Sequence, residues 1–183
     1  VFRGWGRDFS VVRLCHAYLN LDWGTCAVLL GQTWHPLYGD VAPQILNLNM
    51  GAPFQPFSRA PQIRYRYKTG DIQITGAALW QSQYLSQGPE GKSQKYIKNS
   101  CVPEIYAGID YKHKGLLIGA GIEMVSLTPR TQATVEDKIY KVSERITSLS
   151  YEVHMKYNSE KWLVAAKSVL GSNLTQTSML GGY

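Results

Sequence analysis

Long hydrophobic runs are missing from this sequence. Its longest apolar stretches, such as GLLIGAGI from Gly115, fall well short of the ~18 residues a spanning helix needs, so transmembrane helices are excluded. A membrane is not excluded, because a barrel strand needs only ~10 residues of alternating pattern. Cysteine is scarce. Cys15, Cys26 and Cys101 are odd in number and without CxxC spacing, which indicates neither a zinc site nor a disulfide framework. Cys26 falls beside the first expected turn and Cys15 some eleven residues up the strand, roughly 30 Å away, so those two do not bridge. Acidic residues are outnumbered, 13 against 19 basic ones, giving a net charge of +6 and a pI near 9.2. That balance permits nucleic-acid binding, but the basic residues alternate with apolar ones instead of forming a patch, and no nucleic-acid partner is expected. There is no initiating Met and no signal peptide before Val1, which reads as a mature chain or a fragment.

What is present is alternation. With 183 residues the chain suits one domain, spanning 1–183, and 44% hydrophobic content argues against disorder. The 12 tyrosines outnumber the 4 phenylalanines, a bias that suits strands and interfaces. In QIRYRYKTGDIQITG, from Gln62, Ile63, Tyr65 and Tyr67 share one strand face while Arg64, Arg66 and Lys68 share the other.

The same period gives four hairpins. The first turns at Gly24-Thr25 and the second at Thr69-Gly70, pairing Lys68 with Asp71 and Tyr67 with Ile72. The third turns through His113-Lys114 and the fourth through 158–161. Each such turn pairs odd positions with even ones, and the apolar face obeys this: Ile105, Ala107, Ile109 and Tyr111 are odd, and Leu116, Ile118, Ala120 and Ile122 are even. Connections between hairpins are long, roughly 33–61, 84–102 and 127–145. Short turns at one end and long loops at the other are the asymmetry of an outer-membrane barrel. Trp23, Tyr67, Tyr111 and Tyr157 stand beside successive turns about 45 residues apart, with Trp162 after the last, and read as an aromatic girdle at one membrane interface.

The opposite face carries His16, Asn20, Asp22, Arg64, Arg66, Lys68, Gln73, Asp110, Lys112, Glu123, Glu152, His154, Lys156 and Lys167. A sealed core would not hold so many charges without several kcal/mol of penalty for each unpaired ion. These residues are therefore expected to line a water-filled passage. The expected fold is all-β, an antiparallel up-and-down transmembrane barrel with about eight strands visible. Eight strands enclose an interior just wide enough for side chains, so the charged lumen calls for more of them. Both ends of the chain fall at the long-loop side, which reads as a barrel lacking strands at each end.

GQTWHPLYG from Gly31, followed by NMGAPFQPFSRAPQIRYRY from Asn49, resembles outer-membrane porins of the Bacteroidetes and, more distantly, DcaP-like trimeric porins. RLCHAYLNLDWG resembles a strand of the same family, with Cys15 where a basic residue is expected. The resemblance implies about sixteen strands, a homo-trimer when full length, a bacterial outer-membrane location, and a long loop folded into the lumen. The candidate is the Pro- and Gly-rich stretch 34–61, with Trp34, Tyr38, Phe54, Phe57 and Arg59; a surface loop over the barrel mouth is the alternative.

The expected function is passive diffusion of small hydrophilic solutes, anionic or neutral, with a mild anion preference set by Arg64, Arg66, Lys68, Lys112 and Lys156 and opposed by Asp22, Asp110, Glu123 and Glu152. Membrane lipid is the partner of the apolar face. No cofactor or metal is implied. An enzyme is not expected: His16 and His154 share the polar face with Asp22 and Glu152, but no GxSxG, HExxH or P-loop spacing occurs. The alternative is a soluble lipocalin-like barrel, in which the isoleucines turn inward around a small apolar ligand.

Overall fold

The computed structural model describes residues 14–42, 51–135 and 138–179. Its main element is one antiparallel sheet of eight strands in chain order. These are β1 (Ala17–Asp22), β2 (Cys26–Trp34), β3 (Arg59–Thr69), β4 (Ile72–Leu79), β5 (Glu104–His113), β6 (Leu116–Leu127), β7 (Ile146–Asn158) and β8 (Leu163–Gly171). Each strand pairs with its sequence neighbours, the up-and-down topology that tight hairpin turns produce. Among the described residues the sheet is open: β1 pairs only with β2, and β8 only with β7.

The first hairpin has the expected register, with Asp22 opposite Ala27 and Trp23 N–H donating to the Cys26 carbonyl. The other three are corrected. In β3–β4, Lys68 faces Gln73 and Tyr67 faces Ile74, leaving Gly70 and Asp71 in the turn. In β5–β6, His113 faces Leu116 around Lys114 and Gly115. In β7–β8, Asn158 faces Leu163, so the four-residue turn runs over 159–162. Each turn therefore lies one residue later than its expected place. The reason is backbone handedness: hairpin turns need positive φ at one or both central residues, and it falls on Gly70 (φ 57°) and on Lys114 with Gly115 (43° and 83°). The slip moves each pairing by two residues, so no side chain changes face.

The exposure of the two faces is the reverse of a soluble sheet. On β3 Ile63, Tyr65 and Tyr67 are exposed while Gln62 is buried, and on β7 Leu149, Tyr151, Val153 and Met155 are exposed while Ser148, Ser150, Glu152 and His154 are buried. The polar face is covered by connections from the long-loop end. A single 3-10 turn, Pro36–Tyr38, packs Leu37 against Ala60, Ala77, Leu79, Tyr106 and Leu174. A second, Thr175–Thr177, joins it, with the Phe57 N–H donating to the Thr177 carbonyl. The short helix α1 (Lys95–Ser100) seats Tyr96 and Ile97 against Val125 and Leu127 of β6. Two small ribbons, Gln87–Gly88 with Gly91–Lys92 and Gln132–Val135 with Lys138–Lys141, decorate the same loops.

Candidate functional site

The polar face is a network built across the strands by a glycine floor. On β6 the inward positions include Gly119, Gly121 and Glu123. With no side chain at Gly121, the Tyr106 ring of β5 lies across it and its hydroxyl donates to Glu152 Oε1 of β7 at 2.6 Å. At Gly119 the Asp110 carboxylate of β5 likewise reaches His154 Nε2 of β7, 2.9 Å away. A Cβ at either glycine would overlap those bridging atoms. Lys167 of β8 completes the row with a 3.1 Å ion pair to Glu152 and hydrogen bonds to the Leu37 and Tyr38 carbonyls.

The loop after β2 lies along this face. His35 is buried between Glu104 and Glu123, with Nε2 3.3 and 3.1 Å from their carboxylates. Burial alone would lower its pKa, but Glu123 and Glu104 outweigh that and raise it to about 9. Nδ1 faces the Leu37 N–H at 3.2 Å, a contact that a second ring proton would make repulsive, so full protonation requires this turn to shift. Further on, Asp40 pairs with Lys112 at 2.9 Å. The loop is thus tied at His35, at Leu37 and Tyr38, and at Asp40.

Arg64 and Arg66 stand beside the loop. The Arg64 guanidinium donates to the Trp34 carbonyl and to Gln62 Oε1, and Arg66 donates to Asn20 Oδ1. Among the described residues neither forms a salt bridge. They line a cavity of about 310 Å³ with Tyr18, Asn20, Trp34, Tyr38 and Asp40. The cavity has a mixed lining and holds two cations that no described carboxylate contacts directly, although Asp40 stands on the same wall.

Trp34, Tyr38, Phe57 and Arg59 come together. Trp34 stacks on Tyr38 at 4.4 Å, Phe57 meets Trp34 edge-on at 5.2 Å, and the Arg59 guanidinium sits 4.7 Å over the indole. Phe54 does not join them and is 87% exposed. Residues 43–50 of this loop, Pro43 among them, lie outside the described residues.

Of the other sequence candidates, Gln73 is buried and donates to Asp110, and Lys156 is half-buried. His16 is exposed and contacts Thr33 Oγ1, not Asp22, which accepts from the Gly24 N–H at the turn; Lys68 is exposed. Trp23, Tyr67, Tyr111, Tyr157 and Trp162 are all exposed at the short-turn end, the first four on the apolar face and Trp162 within the last turn. Sequence reasoning put Glu104 on the polar face but missed His35 and Asp40 as site residues. Glu104 was legible as an inward position of β5, whereas His35 and Asp40 belong to a loop with no period to read.

No family model, curated protein or solved structure matches the chain, so function rests on this geometry.

Proposed function

We propose that the chain forms part of the wall of an outer-membrane porin that passes small hydrophilic solutes by diffusion, with a mild preference for anions. One observation carries the reading. Ile63 and Ile109 are 60% and 51% exposed, while Glu104, Glu123 and Glu152 on the other face are at most 1% exposed. In water this arrangement wastes the hydrophobic effect; against hydrocarbon it is the stable one, because apolar side chains meet lipid and polar ones meet each other and water. It weighs against a lipocalin-like ligand binder, whose isoleucines would face inward.

Anion preference follows from how the charges are spent. Glu123, Glu152 and Asp110 are engaged with His35, Lys167 with Tyr106, and His154 respectively. Arg64 and Arg66 face the cavity with no salt bridge among the described residues, Asp40 on the same lining being paired with Lys112, and a fixed positive potential in a narrow low-dielectric passage favours anions. The loop from His35 to Val41 narrows that passage. Lipid on the apolar face, a bacterial outer-membrane location, about sixteen strands in the closed wall and a trimer of the full-length protein complete the proposal, the last two on the resemblance to Bacteroidetes porins.

The test is single-channel conductance of the full-length protein in planar bilayers, with the reversal potential read in a salt gradient. The wild type is expected to conduct with a reversal potential of anion-preferring sign, and Arg64→Ala combined with Arg66→Ala to move it toward zero or past it. Absence of any conductance from correctly folded, detergent-purified protein would overturn the reading.

A further inference from the structure

We propose that His35, Glu104 and Glu123 form a binding site for one first-row divalent metal ion, which clamps the loop after β2 to the sheet. The three side chains come from three separate parts of the chain, and each is at most 1% exposed. One ligand atom from each lies within 4.8 Å of the others. The two separations from His35 fit metal coordination as well as direct pairing. His35 Nε2 stands 3.3 and 3.1 Å from the two carboxylates, long for charge-assisted hydrogen bonds of ~2.7–2.9 Å. Donor atoms about a tetrahedral ion at ~2.0–2.1 Å sit roughly 3.3 Å apart.

A second observation points to a metal. Apart from the His35 ring, neither oxygen of Glu123 has a hydrogen-bond partner, although the side chain is fully buried. Nearby Glu152 is already held by Tyr106 and Lys167, so among the described residues no spare cation serves Glu123. Two buried carboxylates facing one imidazole carry excess negative charge that a divalent ion would neutralise. Gln81 Nε2 donates to Glu104 Oε1 at 2.6 Å, the outer-shell bond that would orient a metal-binding carboxylate. The donor set selects the class: an imidazole with two carboxylates and no thiolate suits zinc or manganese, whereas calcium and magnesium take oxygen alone. Metal capture at Nε2 moves the ring proton to Nδ1, so the Leu37 N–H must turn away, and occupancy is thereby coupled to the first turn of the loop.

The full chain, purified in detergent and stripped with EDTA, is titrated with Zn²⁺ and separately with Mn²⁺ by calorimetry, with His113→Asn as the background control for the exposed His113–Asp71 pair. One equivalent of at least one metal is expected to bind, and Glu123→Gln to weaken it by at least about tenfold. Zinc X-ray absorption on the wild type is expected to show one imidazole with oxygen ligands, which decides the matter even if Glu123→Gln does not fold. Binding of neither metal, binding that Glu123→Gln leaves unchanged, or a spectrum with sulfur or two imidazoles would overturn the site.

Discussion

Tyr106 shows how single residues hold the polar face together. Its hydroxyl is a donor to a buried carboxylate, and removing such a donor strands a charge that has lost its water. Tyr106→Phe is expected to cost about 1.5–3 kcal/mol, whereas Tyr151→Phe, with its side chain on the exposed face, should stay within about 0.5 kcal/mol. Urea unfolding in lipid vesicles, followed by tryptophan fluorescence, measures both. The glycines beneath the bridges make a sharper test. A Cβ at Gly121 would lie 2.5 Å from the Tyr106 hydroxyl and break the β5-to-β7 contact without touching the backbone hydrogen bonds. Gly121→Ala should therefore cost about 1–3 kcal/mol by overpacking, and the double variant Gly121→Ala with Tyr106→Phe less than the sum of the two.

Among the elements, the hairpins separate what a period can specify from what it cannot. Alternation assigns every strand residue to a face, because a face depends only on odd or even position, and this is why Arg64, Glu123, Glu152 and Lys167 lie on one side as their positions imply. Register depends instead on which residue accepts positive φ. The pattern alone places the turn a residue early at Gly70 and Lys114, since a slip of two costs no change of face. Loops follow neither rule. The buried turn at Pro36–Tyr38 and the anchors His35 and Asp40 depend on Glu104 and Lys112, each some seventy residues away in sequence, which no local spacing records. Turn chemistry yields its own prediction. Lys114 holds φ 43° beside Gly115, and asparagine tolerates that region better than lysine, so Lys114→Asn should raise stability by about 0.5 kcal/mol and Lys114→Val lower it by more. The same vesicle unfolding assay reads both changes.

For the whole molecule, the open sheet and its exposed apolar face make one joint demand. Strands β1 and β8 each carry an unpaired edge among the described residues, and hydrocarbon does not tolerate unpaired backbone donors and acceptors, so insertion requires both edges to be paired. The lipid-facing assignment can be tested apart from conductance by putting a charge on each face. Ile109 is exposed near the middle of β5, where a bilayer midplane would make Ile109→Arg cost about 2–4 kcal/mol. Were the same face in water, an arginine there would change stability by no more than about 0.5 kcal/mol and improve solubility. Ile109→Leu serves as the control for packing, and Ile63→Arg, one strand pair away on the same face, should repeat the loss. Unfolding in vesicles of matched lipid then separates the two environments by several-fold differences in the equilibrium. A near-neutral result at both isoleucines would place this face in water and remove the ground for a membrane wall, whatever the charges on the other side are doing.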